Sequence, residues 1–181
     1  MSNFSGGFSE RALRAFGRGK YEPLRTELAS LPAGSYDRVG VDLALALAID
    51  FAACGPTHKY SVLEVGCGGG LISELLHACG YSVTGIDRDA TPRSARGLRI
   101  LKTGLADFLN DDLADFDITL LLSPIDRKLR GASLADTGEE VLRRTRSHVY
   151  IEEPGFDGGV WVATTIAADA TTRRLYRIDV T

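Results

Sequence analysis

An apolar segment at residues 61–65 runs straight into a glycine cluster and then into a second apolar segment. The stretch reads Val62-Leu63-Glu64-Val65-Gly66-Cys67-Gly68-Gly69-Gly70-Leu71-Ile72. A strand that ends in glycines and restarts as a helix implies a tight strand-to-helix turn, with the helix packing back on a sheet. The glycines let backbone approach a bulky ligand with no Cβ in the way. About 20 residues further on, Asp87 closes another apolar segment, and its carboxylate is suited to accept hydrogen bonds from two ribose hydroxyls. Together these features predict a nucleotide-like ligand.

The surrounding pattern alternates strand and helix. Residues 61–65 and 81–86 read as strands. Leu71, Ile72, Leu75, Leu76 and Cys79 between them fall on one helical face. A shorter third strand is predicted at 98–102 and a strongly apolar fourth at 117–122. A helix follows at 137–145 and a fifth strand at 149–152. Alternation of this kind implies an α/β fold: a doubly wound, mostly parallel sheet covered on both faces. The tail departs from it. Residues 160–167 and 173–180 are two strands joined by a short polar link, which is the logic of an antiparallel hairpin.

Ahead of the first strand, helices are predicted at 9–17, with Ser9 as cap, and at 23–31. A third, at 41–53, is apolar on most faces and ends at Gly55-Pro56. This divides the chain into an N-terminal helical extension, residues 1–40, serving as a lid or substrate element, and a main domain, residues 41–181.

Composition excludes several function classes. At 181 residues, 44% hydrophobic and 25% charged, the chain matches one ordinary globular domain. A formal net charge of -3 does not suit general phosphate-backbone binding. Cys54, Cys67 and Cys79 show neither a disulfide framework nor metal-ligand spacing, so no metal is expected. The first residues lack an apolar signal core, and no apolar stretch is long enough for a membrane span. A cytoplasmic setting is the expectation.

These residues resemble the class I S-adenosylmethionine-dependent methyltransferases over about residues 40–181. That Rossmann-like family carries an E/D-x-G-x-G-x-G turn after its first strand, here Glu64-Val65-Gly66-Cys67-Gly68-Gly69-Gly70. Its second strand ends in a ribose-binding acid, matched by Asp87. An acid after the third strand reaches the adenine amino group beside an apolar residue that covers the ring. Asp107 and Phe108 stand there, with Asp111 or Asp112 as alternatives to the acid. The aromatic-acid pair opening the fourth strand is matched by Phe116-Asp117, and the terminal hairpin matches the family's last strand. The resemblance implies S-adenosyl-L-methionine as cofactor, held by Glu64, Gly66, Cys67, Gly68, Gly70, Asp87, Arg88, Asp107, Phe108 and Ser123. A nicotinamide site requires G-x-G-x-x-G, but counting from either glycine pair puts Leu71 or Ser73 where the third glycine belongs.

What the resemblance implies chemically is methyl transfer by direct displacement to a small-molecule acceptor. Transfer to RNA or protein and non-catalytic cofactor binding are the alternatives. Asp126, Glu152 and Glu153, beyond the fourth and fifth strands, are the candidate bases or acceptor ligands. Ser123-Pro124-Ile125-Asp126 keeps only half of the motif found in methyltransferases that modify nucleic-acid amines, which argues against that acceptor. His58, His77 and His148 fall away from the expected reaction end. Arginine runs near the N-terminus, after Asp87 and at Arg143, Arg144 and Arg146 are read as solvated faces. Between the fifth strand and the hairpin there is no room for the family's usual helix, and the flank this leaves open suits a homodimer.

Overall fold

The structure, a computed structural model, describes residues 10–30, 36–54, 60–111, 114–122, 134–153, 159–166 and 172–180. Three helices come first: α1 (Glu10–Phe16), α2 (Glu22–Leu28) and α3 (Tyr36–Cys54). Then follow β1 (Ser61–Val65), α4 (Leu71–Ala78), β2 (Ser82–Asp87), β3 (Arg93–Ala95), β4 (Leu98–Lys102), α5 (Leu105–Asp111) and β5 (Phe116–Leu121). The chain continues through α6 (Leu134–Arg143), β6 (Thr145–Glu153), β7 (Val160–Ile166) and β8 (Thr172–Asp179).

The strands form one sheet in the order β3-β4-β2-β1-β5-β6-β8-β7. β4, β2, β1, β5 and β6 run parallel, whereas β8 is antiparallel to both of its neighbours. Chain order reverses at β1, where one crossover leads to β2 and a later one to β5. A crevice outside the carboxyl ends of the strands opens at such a point.

Two cores flank the sheet. On one face α1 to α4 bury Phe16, Leu24, Leu47 and Phe51 against Val62, Ile118, Leu120 and Tyr150. On the other, α5 and α6 bring Phe108, Leu109 and Val141 against Leu63, Val65, Ile86 and Val149. The parallel strands are apolar on both sides for this reason.

The expected strands and the doubly wound plan are present. Several boundaries differ. The division expected at residue 40 falls inside α3, and Ala12, Phe16 and Leu24 are wholly enclosed in the same core as the sheet. A lid made of α1 and α2 would have to expose these side chains. β6 begins at Thr145, earlier than expected, because the Thr145 hydroxyl is held by Thr119 Oγ1 at 2.7 Å and by the Val141 carbonyl at 2.6 Å. Helix α5 and the three-residue β3 were not expected from the sequence pattern. β3 forms because Gly97, at φ +82°, folds the chain back onto β4.

Candidate functional site

The turn after β1 is fixed by its backbone. Gly66, Gly68 and Gly70 have φ of 74°, 52° and 79°, a left-handed conformation that costs other residues about 1–2 kcal/mol. These glycines are therefore demanded by the turn itself, whatever it binds. Gly69 is different: its φ is not positive, and a Cβ added there would meet nothing within 4 Å. The amides of Gly66 and Cys67 both donate to the Ile86 carbonyl, at 2.7 and 3.1 Å, lashing the turn to the end of β2.

Asp87 completes that lashing. Its Oδ2 accepts from the Gly68 amide at 3.0 Å and its Oδ1 from the Asp89 amide at 2.8 Å. The half-buried carboxylate therefore sits directly beside the glycine turn, and each oxygen retains a further acceptor position.

Glu64 lies inward of the turn. It is 3% exposed and accepts a 2.5 Å hydrogen bond from the Ser73 hydroxyl on α4. Space for that bond comes from Gly85, opposite Glu64 in the β1–β2 register: a Cβ there would stand 2.7 Å from Ser73 Oγ and 3.0 Å from Cys67 Cβ. Neither Gly85 nor Ser73 was picked out from the sequence. The available signal was a glycine inside an otherwise apolar strand, which marks close approach by a neighbour.

Arg88 and Asp107 converge over Gly104, between β4 and α5. A Cβ on Gly104 would lie 2.9 Å from Arg88 Nε and 3.4 Å from Asp107 Oδ2. Asp107 is exposed in the first turn of α5. Phe108 is not available in the same way. It is 4% exposed, with its ring 6.1 Å from that of Phe116, and it packs in the second core.

The reaction side is less complete. Ser123 and Asp126, with Asp112 and His58, lie outside the described residues, as does the side chain of Glu153. Glu152 is described: it is 2% exposed near the carboxyl end of β6, opposite Leu175 of β8. Asp117 stands at the amino ends of the central strands, where its Oδ2 accepts from the Ser61 amide and hydroxyl, both at 2.8 Å. It joins β5 to β1 and is remote from the glycine turn.

Two histidines and the Arg143–Arg146 run have structural partners. His77 Nδ1 is 3.2 Å from the Tyr81 carbonyl, and His148 Nδ1 is 3.0 Å from Asp179 Oδ1. Arg143 and Arg144 bind Glu140, and Arg146 pairs with Asp115. Among the described residues the cysteines are unbridged. Burial pushes the Cys79 thiol up from 9.0 to about 12, and burial followed by Asp50 raises that of Cys54. Neither is poised as a thiolate.

No family model matches the chain. A ubiquinone biosynthesis O-methyltransferase of Caulobacter vibrioides is 32% identical over 124 residues, covering 64% of this chain and 44% of that protein. A protein of the same name from Pseudomonas paraeruginosa is 48% identical over 46 residues, 25% of this chain and 20% of that one. The chain thus spans less than half the length of these curated relatives. Among solved structures, magnesium protoporphyrin IX methyltransferase from Synechocystis PCC 6803, with bound SAH, superimposes at a TM-score of 0.52 and 11% identity, over 94% of this chain and 98% of that one. The N-methyltransferase NodS from Bradyrhizobium japonicum WM9 does so at 0.51 and 13% identity, over 78% and 96%. These structures establish the fold. The fold is thus the Rossmann-like one that these methyltransferases share, and the sequence relatives are methyltransferases by name.

Proposed function

We propose that the chain transfers a methyl group from S-adenosylmethionine to a small-molecule acceptor. The observation that carries this reading is the Gly68–Asp87 hydrogen bond at the switch point of the sheet. It sets a carboxylate with spare acceptor positions against a glycine turn where a Cβ added at Gly69 would meet nothing within 4 Å. The residues present fit the cofactor. The turn Gly66 to Gly70 would face its amino-acid portion, Asp87 its ribose diol, and Arg88 with Asp107 its base. Glu64, tied to Ser73, positions the turn from behind.

When bound, the cofactor supplies a methyl group on a sulfonium with a neutral thioether leaving group. Little acid–base chemistry is then asked of the protein, and aligning donor and acceptor supplies most of the acceleration. A base is required only where the acceptor loses a proton early in the reaction. Asp126, Glu152 and Glu153 are the candidates for that role, and Glu152 is enclosed in the core.

The names of the relatives, which concern ubiquinone biosynthesis and magnesium protoporphyrin IX, support a small molecule over RNA or protein. Among the described residues no helix is long and apolar enough to cross a membrane. A cytoplasmic setting and a homodimer belong to the same proposal.

The test uses labelled methyl donor with a cell extract separated into small-molecule and macromolecular fractions. Label is expected in the first. Label confined to RNA or protein would overturn the acceptor class, and label in neither would favour a non-catalytic cofactor binder.

A further inference from the structure

Glu64 and Ser73 form a polar pair inside an apolar core, at 3% and 0% exposure. Alternation along β1 turns Leu63 and Val65 toward α5 and α6, and Glu64 with Val62 toward α4. There the Ser73 hydroxyl, in the first turn of α4, donates to Glu64 Oε2. Gly85 on β2 keeps the space open, since a Cβ on it would stand 2.7 Å from Ser73 Oγ. Three elements thus converge on one carboxylate behind the glycine turn. Glu64 precedes the turn's first glycine by two residues, and Ser73 follows its last by three.

Packing alone does not call for such a pair. A carboxylate enclosed in an apolar core weakens the fold even when hydrogen-bonded, and apolar residues of similar size would fill the same space. What the pair supplies is a fixed negative charge with little water to screen it. A hydroxyl that donates to a carboxylate favours its ionised form.

We propose that Ser73, acting through Glu64, biases the site toward the methyl donor relative to the demethylated product. The proposal rests on the methyl-transfer reading of the glycine turn. Donor and product share base, ribose and amino-acid portion, and they differ by one methyl group and one positive charge on sulfur. Asp87 and the backbone of the turn meet the shared portions and hold both molecules alike. A poorly screened carboxylate distinguishes them. Among the described residues Glu64 is the acid enclosed beside the turn. Asp87 is half-buried and held by the Gly68 and Asp89 amides, Asp107 is exposed, and Glu152 lies two strands away on β6. Ser73 is a positioning residue: wholly buried, it reaches Glu64 and not the ligand.

Calorimetric titration with S-adenosylmethionine and with S-adenosylhomocysteine tests it. The native chain, Ser73→Ala, Glu64→Gln and the double variant are compared, each checked for folding by circular dichroism. Ser73→Ala should weaken binding of the donor by about tenfold and of the product by about twofold or less. Glu64→Gln, close in shape but uncharged, should narrow the ratio between the two ligands as much, and it carries the test if Ser73→Ala fails to fold. The double variant should narrow it no further, because the two residues act as one unit. A ratio that the substitutions leave unchanged, with both ligands losing equally, would mark a merely structural pair and overturn the inference while the methyl-transfer reading stands. A native chain that binds neither ligand would overturn that reading and the inference with it.

Discussion

At the carboxyl ends of β1 and β2 the structure is held mainly by backbone groups: Gly66 and Cys67 share one carbonyl, and Gly68 donates to Asp87 from 19 residues away. In the β6–β8 half the ties are side chains from distant parts of the sequence. Asp50 on α3 accepts from the Tyr150 hydroxyl at 2.7 Å and from Arg177 at 2.9 Å, across 100 and 127 residues. Burial and then the bond to Asp50 raise the Tyr150 hydroxyl above its usual range. The first region is organised around a tight strand-to-helix turn. The second locks the leading helices to the closing hairpin. Local backbone ties thus dominate one half and long-range side-chain cohesion the other.

Breaking the second region should cost most in stability. Asp50→Ala leaves the Arg177 guanidinium and the Tyr150 hydroxyl without their shared acceptor, for an expected loss of about 3 kcal/mol in urea unfolding. A loss near zero would mean that water replaces the carboxylate, and the contrast between the halves would fail. Gly85→Ala probes the first region from within. The added carbon meets Ser73 Oγ, Ile100 Cδ1 and Cys67 Cβ at 2.7, 2.8 and 3.0 Å. Overpacking of this kind costs about 1–3 kcal/mol, and cofactor affinity should fall with it because Cys67 belongs to the turn. Ser73→Ala should follow at about 1.5 kcal/mol, the usual worth of a hydrogen bond to a charged group.

The last effect, confined to alkaline pH, is a pH dependence set at the carboxyl end of α4. Burial raises Cys79 from 9.0 and Tyr81 from 10.0, each to about 12. Both groups are neutral when protonated and hold that proton more tightly in the folded state. Their contribution is complete below the unfolded values and declines as pH rises from 9 toward 12, because the unfolded chain ionises first. Denaturation midpoints should fall across that window, and Cys79→Ser should remove part of the slope. A midpoint that stays flat to pH 12 would contradict the burial argument.

What could be read from the sequence follows the same division. The glycine turn, Asp87 and the strands around them are local signals, carried by consecutive residues and by period-two or period-3.6 patterns. The pairing of Glu64 with Ser73 was not legible, because a buried acid in a strand does not reveal which neighbour satisfies it. Nor was the Asp50–Tyr150–Arg177 network, whose members come together only once α3 crosses β6 and β8. Helix α5 escaped notice because its seven residues show barely two turns of apolar spacing at Leu105, Phe108 and Leu109. The three turn glycines were legible for a simpler reason than ligand approach, since their positive φ already requires them.

The central claim is that the turn and Asp87 hold S-adenosylmethionine. Calorimetric titration with S-adenosylhomocysteine and with NAD, on the native chain and on Asp87→Ala checked for folding by circular dichroism, tests it most directly. The native chain should bind S-adenosylhomocysteine and not NAD, with the substitution weakening binding by about 1–3 kcal/mol. No heat with S-adenosylhomocysteine, or equal affinity in a folded Asp87→Ala chain, would contradict it.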